Sequence, residues 1–147
     1  MANLSVSAEI GVAAPPEAVW RVMSDPRREP GWMRAVERAE FLGEPRYRAG
    51  ARMRRSGRFM GKRMAWESEI AECAPARRLV FRHVSGSIGG ESRWEIEPAP
   101  GGATVRLASD GPLPRGIGFL RPLVAAAARL ALRADLRRLK SLVEGAA

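Results

Sequence analysis

The sequence predicts a single α+β domain in which a curved, seven-stranded antiparallel sheet wraps around a long C-terminal helix. Three observations predict it: an opening segment with period-two alternation, a middle region divided by glycine and proline, and a final third that contains one long uninterrupted run. With 147 residues, of which 46% are hydrophobic, the chain can bury one continuous core, so we predict one domain over 1–147.

The first third predicts one strand followed by two short helices. Apolar and polar residues alternate over 4–10, as in a half-buried strand. Pro15, Pro16 and Glu17 then open a short helix, because proline suits the first turn and an acid suits the positive helix end. Pro26 ends this helix, since a residue before proline is displaced from helical geometry. A second turn at 30–31 precedes Trp32, so we expect a second helical piece there.

The middle of the chain has turn-forming residues at the spacing typical of antiparallel hairpins. Glycine and proline recur at short intervals, for example at Gly43, Gly50 and Pro75, and separate runs of about ten residues or fewer. These runs predict six further strands, with approximate limits 35–42, 50–57, 61–72, 77–86, 89–97 and 103–109.

A long helix is predicted for the C-terminal part. Pro122 suits a first helical turn, and the residues that follow it up to Glu144 include neither glycine nor proline, so the helix spans roughly 35 Å. We expect a polar stripe and an opposite apolar face that covers the sheet. The stripe comprises Arg129, Arg133, Arg137, Lys140 and Glu144, and the apolar face Leu120, Val124, Ala127, Leu130, Ala131, Ala134 and Leu142.

Charge and cysteine content narrow the class of protein. The net charge of +9 attracts anions, acidic lipid surfaces or nucleic acid, although 23 of the 25 basic residues are arginine, which a biased genomic base composition also produces. The single cysteine, Cys73, excludes an internal disulfide, and with one histidine, His83, it cannot form a zinc cluster. We therefore predict no metal and no cofactor.

The sequence favours a cytoplasmic location. The first ten residues have neither the basic start nor the apolar run of a signal peptide. The most apolar stretch, 113–132, is interrupted by arginines that are costly at mid-bilayer, so we do not expect membrane insertion. The sequence is compatible with transient contact with an acidic surface, and it does not determine the oligomeric state.

Several local patterns, taken in order, resemble the START-like (SRPBCC) superfamily of polyketide cyclases/dehydratases and lipid-transport proteins. They lie at 14–20, 24–26, 30–32, Gly50, 75–79, 101–104 and 139–144, and so cover essentially the whole chain. The resemblance implies the helix-grip fold, with a deep cavity between the concave sheet face and the C-terminal helix that opens near the short helices and hairpin loops. Members of this superfamily bind or transform very different molecules, so the fold does not fix the function.

Strand parity indicates which side chains would line such a cavity. Met64, Trp66 and Ser68 share one face of their strand, as do Phe81 and His83 on the next one. Aromatic and methionine side chains at these positions can be plain core, but small alanines on the facing helix leave room for a ligand. The predicted ligand-binding residues are Trp32, Met53, Met64, Trp66, Phe81, His83, Trp94, Leu120, Val124 and Ala127.

Two residues are candidates for catalysis. His83 is predicted to face inward and can act as a base or as a hydrogen-bond donor at neutral pH, or it can be a structural histidine. The resemblance to cyclases implies a pocket Arg, Tyr or Ser that polarises a keto group of the substrate, for which Arg55, Tyr47 and Ser68 are available. Of these, Arg55 has the parity of Met53 and is the candidate. Glu67 and Glu69 are expected to face solvent and to pair with nearby arginines.

The segment 46–63 contains eight basic residues and no acid. It could form an anion-attracting rim for a carboxylate or a phosphate, or two solvated strand faces balanced by Glu67, Glu69 and Glu95. Few aromatic residues interleave with these charges and no known nucleic-acid-binding motif is present, so the sequence does not favour nucleic acid.

The sequence is compatible with three functions. The first is non-enzymatic binding of a hydrophobic small molecule such as a lipid, a quinone or a polyketide. The second is a polyketide cyclase/dehydratase-type enzyme that uses the same cavity, and the third is a regulator that binds a macromolecule. The first function, binding of a hydrophobic small molecule, requires only the cavity.

Overall fold

A computed structural model of the protein describes residues 3–59, 61–86, 88–113 and 116–145. The chain begins with strand β1, followed by two short helices and then by six strands, a 3-10 turn and a long helix. The elements are β1 (Asn3–Val12), α1 (Pro16–Met23), α2 (Glu29–Trp32), β2 (Val36–Leu42), β3 (Arg52–Phe59), β4 (Lys62–Ala74), β5 (Arg78–Gly86), β6 (Glu91–Ala99), β7 (Gly102–Pro112), the turn Gly118–Leu120 and α3 (Arg121–Gly145).

All seven strands belong to one antiparallel sheet in the order β1-β7-β6-β5-β4-β3-β2. The predicted fold class, with seven strands, two short helices after the first and a long final helix, is confirmed. Irregularities interrupt the pairing of β4 with β5 between Glu67 and Ser68 and between Ile70 and Glu72. Such bulges increase the local bend and twist of a strand. The second one leaves Ala71 of β4 unpaired and sets the register in which Ser68 lies opposite His83.

The two short helices connect opposite edges of the sheet, because β1 and β2 are its outermost strands. Helix α1 has proline in its first turn, as predicted, and ends where the Ser24 N–H donates to the Trp20 carbonyl at 2.8 Å. Helix α2 is a single turn, from which Glu29 and Trp32 are buried. The connection from β1 to β2 thus brings both side chains into the interior of the domain.

The C-terminal half of α3 closes the core. Leu136, Leu139 and Val143 are buried there in one apolar cluster with Trp32 and Phe81. The prediction of which face of this helix covers the sheet is therefore wrong. Leu130, which is predicted to lie on that face, is 63% exposed, so the helix is rotated about its axis relative to the prediction. Alanine tolerates burial and exposure alike, so the Ala-rich first half carries little information on which side faces the sheet.

A buried acid and two polar contacts fix the position of α3. Asp135 accepts hydrogen bonds from the Arg34 backbone N–H at 3.2 Å and from the Arg138 guanidinium. Near the end of the helix, the Ala13 N–H donates to the Glu144 carboxylate at 2.9 Å, and Lys140 donates to the Gly11 carbonyl at 3.2 Å. These bonds attach α3 to β1 and to the loop that follows α2. None of the helices that the structure describes combines the length and the apolar character needed to cross a bilayer.

Candidate functional site

A cavity of about 320 Å³ lies between the inner face of the sheet and the first half of α3. We call it the sheet–helix cavity. Its apolar lining includes Leu4, Val6, Met64, Ile88, Ala128 and Leu132. Its polar lining comprises His83, Glu91, Ser92, Ser109 and Asp110. The cavity is therefore mostly apolar, with its polar groups concentrated on β5, β6 and β7.

A second cavity of about 660 Å³ adjoins the first, and Ala35 and Ala131 line both. Its lining includes Arg34, Arg58 and Arg138, together with the acid Asp135. Arg34 and Arg58 are exposed. An apolar space thus continues into one with a basic rim.

Three polar side chains on neighbouring strands form a hydrogen-bonded row on the inner face of the sheet. The Ser68 hydroxyl lies 2.8 Å from His83 Nδ1, and His83 Nε2 lies 2.9 Å from the Ser92 hydroxyl. Ser68 is fully buried, whereas His83 and Ser92 are half-buried and line the sheet–helix cavity. The imidazole ring is therefore held on both sides.

The environment of this row keeps the imidazole neutral. Burial, with a smaller contribution from the positive charge of Arg55, lowers the pKa of His83 to about 4. At neutral pH one ring nitrogen of His83 therefore donates a hydrogen bond and the other accepts one.

An ion pair lies in the core on the same face of the sheet. Arg55 of β3 makes two hydrogen bonds to the Glu29 carboxylate, one of them 3.0 Å from Nη2 to Oε1, and the side chains are 3% and 0% exposed. The guanidinium also lies 4.6 Å from the centre of the Phe81 ring and 5.7 Å from that of Trp94. Burial opposes the charge of Arg55, but the Glu29 carboxylate outweighs this effect and raises the pKa of Arg55. Arg55 faces inward, as its parity predicts.

The residues predicted to contact a ligand fall into three groups. Met64 and His83 line the sheet–helix cavity. Trp32, Met53, Trp66, Phe81 and Trp94 are buried, and most of them pack against one another, with 5.1 Å between the Trp32 and Trp94 rings and 4.7 Å between Phe81 and Trp94.

The third group comprises Leu120, Val124 and Ala127, which lie on or just before the first half of α3 but do not belong to the described lining of this cavity. Leu120 and Ala127 are exposed, and Val124 is half-buried. Ala128, Ala131 and Leu132 take their place, because the helix is rotated relative to the predicted orientation.

Sequence reasoning missed two residues of this region. Ser92 has the same strand parity as Trp94, so its inward orientation could have been found from the alternation. Glu29 gave no such signal, because it lies in a one-turn helix and its partner is 26 positions away. Helix periodicity cannot be read from a single turn.

The basic segment 46–63 is partly neutralised by acids. Arg52 and Arg54 of β3 pair with Glu69 and Glu67 of β4 at 3.5 and 3.7 Å, as expected for these acids. Glu95 does not balance this segment, since it pairs with Arg78 at 3.3 Å. Within the described residues, no group of three or more histidine, cysteine or acidic side chains is arranged to hold a metal ion.

Comparisons with known proteins agree with this architecture. The model of the family described as "Polyketide cyclase / dehydrase and lipid transport" matches residues 3–144. A protein of Thermus thermophilus, TTHA0849, is 28% identical with a TM-score of 0.80, and the match covers 97% of this chain and 99% of that one. The chain has no match among the curated proteins.

Two more distant structures share the fold. The Zhui aromatase/cyclase from Streptomyces sp. R1128 is 20% identical with a TM-score of 0.78, over 97% of this chain and 94% of that one. The protein Ara h 8.0201 is 14% identical with a TM-score of 0.71, over 98% and 99% of the two chains.

Proposed function

The chain belongs to the polyketide cyclase / dehydrase and lipid transport family, and on this premise we propose that it binds a hydrophobic small molecule in the sheet–helix cavity. The ligand class includes lipids, quinones and polyketide-like molecules. Met64 and His83, which the sequence already predicts as contacts, and the helix residues Ala128 and Leu132 would touch it.

The cavity itself is the observation that carries this proposal. Its volume of about 320 Å³ is at the lower end of the range of roughly 300–1,000 Å³ typical of small-molecule sites. Most of its wall is apolar, and only a few polar groups converge on one side, as in sites that orient a ligand by few hydrogen bonds. Small alanine side chains on α3 leave the space open.

Native mass spectrometry of freshly purified protein tests the proposal directly. We expect a mass increment that disappears on denaturation, and the released molecule can then be identified. Ala128→Trp fills the cavity and should abolish the increment, whereas Ala126→Trp places the same ring on an exposed position of the same helix and should leave it unchanged. If the protein carries no ligand, binding of the neutral dye Nile red provides the same comparison.

The proposal fails if neither a co-purifying molecule nor Nile red binds to the wild-type protein. It also fails if both variants bind as the wild type does, because the ligand then lies elsewhere. Circular dichroism of both variants distinguishes loss of binding from loss of folding.

Catalysis of a cyclase/dehydratase type is the second candidate, and the observation that favours it is His83 on the cavity wall. Arg55 supports this less, because both of its recorded charge contacts are to Glu29 and it does not belong to the described lining. An enzyme would convert the released ligand during incubation, and His83→Ala would stop that conversion while binding persists. Full turnover by His83→Ala would remove this residue from any mechanism.

A macromolecular partner has less support. Two of the arginines in the basic segment pair with acids across the sheet, which reduces the free positive charge available to a polyanion. Binding of nucleic acid would weaken steeply as salt is raised. A binding constant that does not respond to salt would exclude it.

A further inference from the structure

We propose that the Ser92 hydroxyl, oriented by His83, donates a hydrogen bond to an uncharged oxygen, such as a ketone oxygen, of an otherwise apolar ligand. The inference rests on the proposed function and names the class of ligand for the same cavity. It follows from the direction of the hydrogen bonds in the row Ser68–His83–Ser92.

Ser68 determines the direction at one end of the row. Its side chain is fully buried, and its hydroxyl makes one recorded hydrogen bond to a described residue, His83 Nδ1 at 2.8 Å. A buried hydroxyl proton that lacks an acceptor is costly, and a neutral imidazole offers one nitrogen lone pair. Ser68 therefore donates to Nδ1, and the ring proton of His83 lies on Nε2.

The remaining bonds follow from this assignment. With its proton on Nε2, His83 donates to the Ser92 oxygen at 2.9 Å. The Ser92 proton is then not used within the row, and Ser92 lies on the wall of the sheet–helix cavity. A hydroxyl that accepts a hydrogen bond becomes a better donor, so the row strengthens the bond that Ser92 offers to a ligand.

The charges around the cavity select for an uncharged acceptor. Glu91 and Asp110 alternate with Ser92 and Ser109 along β6 and β7, so their carboxylates lie on the outer face of the sheet, where Asp110 pairs with Arg93 at 3.1 Å. The buried cation on the inner face of the sheet, Arg55, is already paired with Glu29. A ligand carboxylate at Ser92 would therefore lose its hydration without gaining this cation as a counterion, whereas an uncharged carbonyl oxygen needs only the hydrogen bond.

The first test reads the proton position without any ligand. His83 is the single histidine of the chain, so its ring nitrogens are unambiguous in a long-range proton–nitrogen correlation spectrum. We expect the Nε2–H tautomer near neutral pH in the wild type, and a mixture of tautomers in Ser68→Ala. An Nδ1–H tautomer or a charged ring in the wild type overturns the proposal.

The second test compares three probes of matched length, methyl octyl ketone, decanoate and decane, by displacement of Nile red. We expect the ketone to bind more tightly than decanoate. Ser92→Ala should weaken the ketone by about three- to tenfold, which is the effect of one hydrogen bond, and leave decane unchanged. The control Ser141→Ala removes an exposed hydroxyl of α3 and should change nothing.

The outcomes separate the two proposals. If no probe binds and Nile red does not bind either, the proposed function fails. If the probes bind but Ser92→Ala weakens ketone and decane equally, or decanoate binds best, the cavity is a ligand site and the role of Ser92 is wrong. A tautomer measured as expected together with a selective loss of ketone binding supports both.

Discussion

Glu29 of α2 and Arg55 of β3 form an ion pair inside the core that joins the short second helix to the sheet. The guanidinium of this pair also lies over the rings of Phe81 and Trp94. Both side chains are buried, so neither charge is stabilised by water as a surface charge would be. Loss of either partner leaves the other charge without compensation.

Removal of one member of this pair should therefore be strongly destabilising. We expect Glu29→Gln to lower the free energy of unfolding by about 3–5 kcal/mol, since the buried guanidinium loses its counterion. Urea denaturation measures this change. The double variant Glu29→Gln with Arg55→Met should lose less than the sum of the two single variants, because the second substitution removes the uncompensated charge.

An exposed pair provides the control. Arg38 and Glu40 pair at 3.1 Å with side chains that are 74% and 40% exposed. Glu40→Gln should change stability by less than about 1 kcal/mol. Equal effects of Glu29→Gln and Glu40→Gln would contradict the buried character of the core pair.

The neutral imidazole of His83 predicts a pH dependence of stability. An unfolded histidine takes up its proton near the usual value of 6.5, but the folded one does so only near 4. Between these values the unfolded state binds more protons, so stability is complete above about pH 6.5 and is lost as the pH falls towards 4, by about 3 kcal/mol in total.

The non-titrating variant His83→Asn isolates this contribution. Urea denaturation at a series of pH values should give a smaller loss of stability for the variant than for the wild type across the same window. Identical slopes for the two proteins would show that carboxylates alone cause the acid sensitivity.

The face of α3 that covers the sheet can be identified by truncation of single side chains. Leu139 is fully buried, so Leu139→Ala should cost about 2–5 kcal/mol. Leu130, which the sequence pattern places on the apolar face, is 63% exposed, and Leu130→Ala should stay within about 0.5 kcal/mol of the wild type. The reverse order would restore the orientation that the sequence pattern predicts.

Gly57 permits the loop before β2 to approach β3. A Cβ atom at this position would lie 1.7 Å from the Ala35 carbonyl oxygen, so the backbone would have to move. We expect Gly57→Ala to cost about 1–3 kcal/mol by unfolding in urea. Because Ala35 lines the sheet–helix cavity, this variant should also weaken Nile red binding.

Gly11→Ala is the matched control, since a Cβ atom there meets nothing within 4 Å. It should leave Nile red binding unchanged. A loss of binding in both variants would indicate a general effect of glycine replacement rather than the contact with Ala35.

The sequence predicted the strands, the long helix and the inward parity of Arg55 and His83, because these depend on local periodicity and on punctuation by glycine and proline. It did not predict which groups these side chains meet. Glu29 is brought to Arg55 by a connection that crosses the sheet, and this depends on the tertiary packing of α1 and α2. The hydrogen bonds of the row at His83 likewise depend on a bulge in β4, which the alternation of residues does not reveal.

The orientation of α3 illustrates a different limit. A pattern of charged and apolar residues assigns acids to the solvent side, yet Asp135 is buried because the Arg34 N–H and the Arg138 guanidinium bind its carboxylate. The alanines of 125–128 satisfy either orientation. Only the packing against β1 and α2 decides between them.

The uneven anchoring of α3 has a kinetic consequence. Its buried residues all lie at 135–143, whereas none of the residues at 121–134 is buried, and those that roof the cavity belong to this upstream part. Segments with few buried apolar contacts open at a lower free energy than the whole molecule. The amide hydrogens of 121–134 should therefore exchange with solvent through local opening. Those of 135–143 should exchange only through global unfolding. Residue-resolved hydrogen exchange should therefore reveal two classes of amide within this one helix.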